Sequence, residues 1–260
     1  MKTKNLLTVI ILCITTLTTV AQTDKITRKN IQIKENFTSV SISGGWDLML
    51  SQDNKTEIIA ETDEVYLANL IVEVKNKTLY IYNKNNTIFR NIFKGKNTPQ
   101  RIYITMPEIN SLKASGGCDI LTQTALKTDK LVISLSGGSD IKNLTLSCNF
   151  LICNASGGSD VNIQKLETSA CNLSLSGGSD AFLSGKVNHL TINASGGSNV
   201  SASELEAVDC NAQFSGGSDG SIRVIGELKL SATGASDIKC YGNPQNIIKH
   251  TSGASSLKLK

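Results

Sequence analysis

Ser136-Gly137-Gly138-Ser139-Asp140 is the stretch on which the reading of this chain turns. It recurs unchanged at residues 156–160 and 176–180. Variants stand as Ser115-Gly116-Gly117-Cys118-Asp119, Ser195-Gly196-Gly197-Ser198-Asn199 and Ser215-Gly216-Gly217-Ser218-Asp219. Looser copies follow as Thr233-Gly234-Ala235-Ser236-Asp237 and Ser252-Gly253-Ala254-Ser255-Ser256. Their first residues are 21, 20, 20, 19, 20, 18 and 19 positions apart, and an outlying copy, Ser43-Gly44-Gly45-Trp46-Asp47, stands earlier. A period so regular is the signature of a repeat architecture.

Aligning the copies on their first residue exposes apolar columns. One position before it stand Ile42, Ala114, Leu135, Ala155, Leu175, Ala194, Phe214 and Ala232. Three before stand Val40, Leu112, Ile133, Cys153, Leu173, Ile192, Ala212 and Leu230, and five after are mostly Leu, Ile and Val. Between them, two before, lie Ser134, Asn154, Ser174, Asn193, Gln213 and Ser231. Alternation of this kind is a half-buried strand, repeated with one face inward.

Twenty extended residues at roughly 3.3 Å each give a perimeter of about 66 Å, enough for two or three strand segments around one narrow core. Coils stacked at roughly 4.8 Å would place like residue above like residue, and seven intervals would make a rod about 34 Å long. The glycine pair suits a corner needing positive φ or close approach. The pattern therefore predicts an all-β protein, a right-handed parallel β-helix of about 20-residue coils with a β-rich capping region before it. The alternative, a sandwich of 20-residue hairpins, gives no reason for identical residues at identical turns.

The start of the chain reads differently. Lys2 and Lys4 precede an apolar run, Leu6 to Leu17, that exits through small residues to Ala21. This is the pattern of a secretory signal peptide cleaved after Ala21, and the run is short for a membrane span. No later segment is long and apolar enough to cross a membrane. Loss of Lys2 and Lys4 lowers the formal charge from +4 to +2. That balance is too weak to point to nucleic acid or an anionic membrane surface.

Six cysteines follow the signal: Cys118, Cys148, Cys153, Cys171, Cys210 and Cys240. Cys153 falls in an inward column, and Cys171 and Cys210 both fall five before their turns. Those two belong to coils two apart, about 9.6 Å, beyond the roughly 7 Å limit for a disulfide. They read as buried thiols filling apolar positions. Cys118, Cys148 and Cys240 are left undecided.

Residues 22–110 read as a β-rich cap and first coil, and residues 111–260 as the repeat β-helix, the two forming one continuous domain. In the first part, 71–74 and 78–82 are strands around a polar turn. Glu61 to Leu70 has room for a short helical turn, and Asn83 to Asn97 reads as an exposed loop. Arg101 to Met106 returns to strand before Pro107.

One polar constellation is regular enough to weigh as a site: Asp47, Asp119, Asp140, Asp160, Asp180, Asp219 and Asp237, interrupted by Asn199. Carboxylates stacked at 4.8 Å repel by about 0.9 kcal/mol in water-like surroundings and about 3.5 kcal/mol at an effective dielectric near 20. The favoured answer is that turn N–H groups and the neighbouring serine cap each Asp. A row of calcium ions is the alternative, although the glycine-rich calcium β-helix has a nine-residue period that this chain lacks. Beyond calcium, no cofactor is indicated. Trp46, the one tryptophan, takes a turn-serine position; it either stands out of the corner as an exposed aromatic or covers the end of the core. His189 and His250 lie in repeat text without a matched nucleophile, so no catalytic residue is assigned.

Phe37 to Leu48, Ala60 to Glu64 followed by Val72 to Ile81, Ile102 to Glu108, and Leu112 to Gly117 together resemble, in order, the opening strand, next block and repeat lead-in of one family. This is the putative auto-transporter adhesin, head GIN domain family of exported bacterial proteins. The resemblance covers about residues 36–240 and implies a β-helical fold and a cell-envelope or extracellular location. It implies no catalytic residues. The expectation is an exported, non-enzymatic, adhesin-like or ligand-binding protein whose partner is a surface glycan or an envelope protein. A purely structural envelope role and a carbohydrate-active enzyme are the alternatives.

Overall fold

A computed structural model describes residues 26–84 and 98–260. The expected signal peptide, and residues 85–97 of the expected Asn83–Asn97 loop, lie outside the described residues; Asn83 itself ends a strand and is buried rather than exposed. The described residues are almost all β, with 66% strand and 3% helix, and wind into a β-solenoid of about seven turns, the parallel β-helix expected from the repeats.

Strands β1 (Thr27–Asn30), β2 (Ser39–Ser43), β3 (Asp47–Gln52) and β4 (Glu57–Thr62) precede helix α1 (Glu64–Asn69). Then come β5 (Leu70–Lys75), β6 (Thr78–Asn83), β7 (Arg101–Met106), β8 (Ser111–Ser115) and β9 (Ile120–Thr122). The repeats supply β10 (Leu126–Lys127), β11 (Lys130–Ser136), β12 (Ile141–Ser156), β13 (Val161–Ser176), β14 (Asp180–Ala194) and β15 (Asn199–Phe214). They end in β16 (Asp219–Val224), β17 (Glu227–Ala232), β18 (Asp237–Tyr241), β19 (Asn246–Thr251) and β20 (Ser256–Leu259).

Stacking follows the sequence columns. Leu112, Ile133, Cys153, Leu173, Ile192, Ala212 and Leu230 are successive parallel partners. Every one is buried. The intervening column of small polar residues faces out, because alternate side chains of a strand take opposite faces. Each coil thus satisfies its backbone against the next, and one apolar core runs the length of the rod.

Chain order and stacking order differ at the first coil. Coil β2–β3 lies between β8–β9 on one side and β6–β7 on the other, all parallel. Beyond β6 and β7 the direction reverses: β5 runs antiparallel to β6, β4 to β7, and β1 to β4. The β5–β6 hairpin turns through Asn76 and Lys77 at φ 50° and 57°, the left-handed pair of a tight hairpin turn. Helix α1 is capped by Asp63, whose Oδ1 accepts the Tyr66 N–H at 2.9 Å. Buried Glu61 ties the outer strands, accepting from Arg28 at 2.5 Å, Arg101 at 3.2 Å and the Tyr103 hydroxyl at 3.3 Å.

Candidate functional site

The Ser-Gly-Gly-Ser-Asp motif builds one edge of the site. Its first glycine has φ between 64° and 83° in every complete copy. A Cβ on Gly177 would sit 3.2 Å from the Gly157 amide nitrogen of the coil beneath, whereas one on Gly178 would meet nothing within 4 Å. The first glycine is therefore fixed by both dihedral and stacking, which strand-like side chains cannot satisfy.

The second serine of the motif points inward. Ser139, Ser159, Ser179, Ser198, Ser218 and Ser236 are wholly buried. Early copies link coil to coil: the Cys118 N–H donates to Ser139 Oγ at 3.0 Å, and Ser139 N–H to Ser159 Oγ at 3.2 Å. Later ones close their own turn, as when Ser218 Oγ donates to the Ser215 carbonyl at 2.9 Å. These hydroxyls hold the corner together from the core side.

The same column explains Trp46. The exposed-aromatic reading is corrected: Trp46 is 0% exposed, because its position faces the core as the buried serines do. Its indole Nε1 donates to Asn83 Oδ1 at 2.9 Å. Trp46 fills the first corner from within, beneath the cap.

The aspartates form a ladder down the outer side of the corner. Asp160 N–H donates to Asp140 Oδ1 at 3.0 Å, Asp180 N–H to Asp160 at 3.1 Å, Asn199 N–H to Asp180 at 3.1 Å, and Asp237 N–H to Asp219 at 3.0 Å. Asp119 N–H donates likewise to Asp47 at 3.2 Å. The capping donor thus comes from the next coil's aspartate, where the sequence suggested the same turn, and the buried serine is turned away. Lys142 Nζ lies 2.5 Å from Asp119 and 3.6 Å from Asp140, and its hydrogen bond to Asp119 raises its own pKa. Burial, ahead of the Asp119 charge, raises the Asp47 carboxyl above its ordinary value. Among the described residues no three Asp, Glu, His or Cys side chains converge to hold a metal ion. One carboxylate per coil, with one oxygen already engaged, makes a row and not a cage.

All six described cysteines are buried and unpaired, including the three that register left open. Burial pushes the Cys153 and Cys210 thiols up to about 12. These are packing groups; a reactive cysteine needs a stabilised thiolate.

The geometry adds a feature absent from the sequence reading. Beside the corner runs an open groove of about 700 Å³, crossing seven coils parallel to the rod axis. Its walls are two outward columns, one of Ser41, Lys113, Ser134, Asn154, Ser174, Asn193 and Gln213, the other the first serine of each motif from Ser115 to Ser215. Six coil intervals give a length of about 29 Å. Its outward side chains are hydroxyls and carboxamides, with Lys113 the one charge and no aromatic ring, and Ile42, Ala114, Leu135, Ala155, Leu175 and Ala194 of the inward column lie between the two walls. The alternation that marked these residues as outward was visible in sequence; the concavity was not.

The two histidines assemble no catalytic group among the described residues. His189 Nδ1 lies 3.4 Å from Asp209 Oδ2 on the outer surface, and no serine hydroxyl is hydrogen-bonded to it.

Fold and groove define a class: a single-rod β-solenoid with a long polar cleft and a β cap at one end. The chain belongs to the family described as putative auto-transporter adhesin, head GIN domain, whose model matches residues 36–244. The structure resembles that of a putative adhesin from Parabacteroides merdae, with 17% identity, a TM-score of 0.80, and 91% of this chain and 96% of that one covered. It also resembles a putative lipid binding protein from Parabacteroides distasonis, at 20% identity and TM-score 0.80 over 90% and 96% of the chains. A putative adhesin from Bacteroides fragilis matches at 20% identity and TM-score 0.69 over 92% and 98%. At these identities the likeness is one of fold. No curated protein matches the chain.

Proposed function

We propose that this is an exported, adhesin-like binding protein of the bacterial cell envelope that holds an extended, uncharged, hydroxyl-rich polymer, a linear glycan, in the Ser/Asn groove without turning it over. The observation that carries the reading is the groove's lining, six hydroxyls or amides and Lys113 in one column over seven coils and six serines in the other. A repeating wall suits a repeating ligand, since the same donor–acceptor set is offered at each step. An anionic polymer would meet only Lys113, and an acyl chain would leave the wall hydroxyls unpaired, at a cost for each. The relative described as a lipid binding protein therefore shares the fold with a lining here that favours a hydroxylated ligand. The export pattern of residues 1–21 and the adhesin family support an envelope location.

The test is a glycan array followed by calorimetry on linear neutral polysaccharides, with product analysis. Binding without release of fragments, abolished by Ser174→Trp in mid-groove, is the expected result. Undiminished binding by that variant would move the site elsewhere, and fragment release would make the protein an enzyme.

A further inference from the structure

One outward column in the middle of the rod has an order of its own. Lys130, Phe150, Ala170, His189 and Asp209 are successive parallel partners, one per coil from β11 to β15. Two residues further along the same strands runs a second column, Val132, Ile152, Asn172, Thr191 and Asn211. The residues between the two columns, Leu131, Leu151, Cys171, Leu190 and Cys210, are all buried. Both columns therefore lie on one outward face of one sheet.

The face is apolar and hollow on one side of its middle and carries opposite charges at its ends. Phe150 is 51% exposed. With Ile152, Ala170 and Asn172 it borders an open hollow of about 410 Å³. At one end Lys130 has no ion-pair partner among the described residues. Asp129 beside it is held by Asn149 Nδ2 at 2.5 Å. At the other end Asp209 Oδ1 accepts the Glu227 N–H at 3.0 Å, and Oδ2 lies 3.4 Å from His189 Nδ1.

That order is complementary to its own reverse. Ala170 stands at the centre, a ring stands on either side of it, and a cation and an anion stand beyond the rings. A two-fold axis along β13 at Ala170 and Asn172 reverses the order of the coils and keeps the position along the strand. Two copies packed face to face across about 10 Å then set Lys130 against Asp209 of the second copy and Phe150 against its His189. Each contact occurs twice, as a two-fold interface requires. The second copy's His189 enters the hollow beside Phe150, and the two Asn172 carboxamides meet donor to acceptor. A two-fold along the rod would instead oppose each coil to itself, with Lys130 against Val132 or Ser134 and both charges unmatched. Five coils by six residues give a face of about 24 by 20 Å, near the small end of specific interfaces, so the association is reversible.

We propose that this face is a self-association surface on which two copies of the chain pair as antiparallel rods, joined by Lys130–Asp209 contacts around a centre of Phe150, Ala170 and His189. The proposal goes beyond the groove reading and does not depend on it.

The experiment is sedimentation velocity on the chain from residue 22, from micromolar to millimolar protein, where a reversible monomer–dimer equilibrium is expected. Lys130→Glu alone and Asp209→Lys alone should each weaken the dimer about tenfold or more, since each sets like charges together twice. An equimolar mixture of the two variants should recover it, because every contact in the mixed pair again joins opposite charges. Phe150→Ser should weaken the dimer at unchanged charge. Within one chain Lys130 and Asp209 are four coils, about 19 Å, apart. A carbodiimide cross-link between them, found by mass spectrometry in the unaltered protein, can therefore form only between copies, and it tests the pairing without any variant. Melting temperatures unchanged in dilute solution show that the variants are folded. A monomer at every concentration, full dimerisation by both single variants, or a mixture no tighter than either variant alone would each overturn the proposal.

Discussion

Trp46 Nε1 donates to Asn83 Oδ1 at 2.9 Å, and Asn83 Nδ2 donates in turn to the Gly44 carbonyl at 2.9 Å. One amide from the cap thus closes the first corner of the solenoid by satisfying both its indole and its backbone. Trp46→Ala should destabilise the protein by about 3–5 kcal/mol, the range for emptying a large buried aromatic site. Asn83→Leu should cost about 1–3 kcal/mol by orphaning the indole N–H. Urea unfolding followed by far-ultraviolet circular dichroism measures both, and a loss below ~0.5 kcal/mol for Asn83→Leu would show the bond to be dispensable.

The two glycines of one motif should not be equivalent. Gly177 has φ 77° and a coil neighbour 3.2 Å from its would-be Cβ, while Gly178 is outside the left-handed region and open. Gly177→Ala is expected to cost about 1–3 kcal/mol, against under ~0.5 kcal/mol for Gly178→Ala. Equal midpoints in denaturant would contradict the stacking account.

The thiols should be silent until the rod opens. With Cys153 and Cys210 at about 12 and all six cysteines buried, almost no thiolate exists at pH 8. A thiol reagent should label none of the six in the native chain and all six in denaturant. Fast native labelling of Cys171 would mean that the core breathes.

Glu61 and Asp47 should respond to pH in opposite senses. Burial disfavours the Glu61 carboxylate, but hydrogen bonds from Arg28, Arg101 and Tyr103 outweigh it and hold the group below its ordinary value. Its contribution is complete above about pH 4.3, the unfolded value, and is lost as pH falls through the lower folded value. Melting temperature should drop on acidification, and Glu61→Gln should flatten that drop while lowering stability at pH 7. Asp47 is raised by burial, so its ionisation works against the fold once pH exceeds its folded value. Asp47→Asn keeps the acceptor for Asp119 N–H and should raise the melting temperature at pH 7. A fall there would reverse the assignment.

Calcium should leave the protein unmoved. Each ladder aspartate from Asp140 onward that is bonded to its successor has Oδ1 engaged by the next coil, and no three ligands converge among the described residues. Melting should not shift with millimolar calcium or with chelator, and a shift of several degrees would restore the row of ions.

The solenoid was legible because its information is periodic. Val40, Ile133, Leu173 and Leu230 repeat the inward choice often enough to set both strand face and coil length. The cap was less legible, since β6 and β7 stack on β2 and β3 while following them in sequence, and no period encodes that return. Trp46 was ambiguous for a related reason: its column is read as polar from the serines, and only the fold shows those serines to be buried.

The sequence by itself determined the coil, its corner glycines, its inward columns and the register that leaves Cys171 and Cys210 unpaired, because each depends on contacts between equivalent positions a whole number of periods apart. Tertiary structure alone decided two things: the groove's concavity and the coil-to-coil direction of the aspartate bonds. Those depend on how the coils curve and twist.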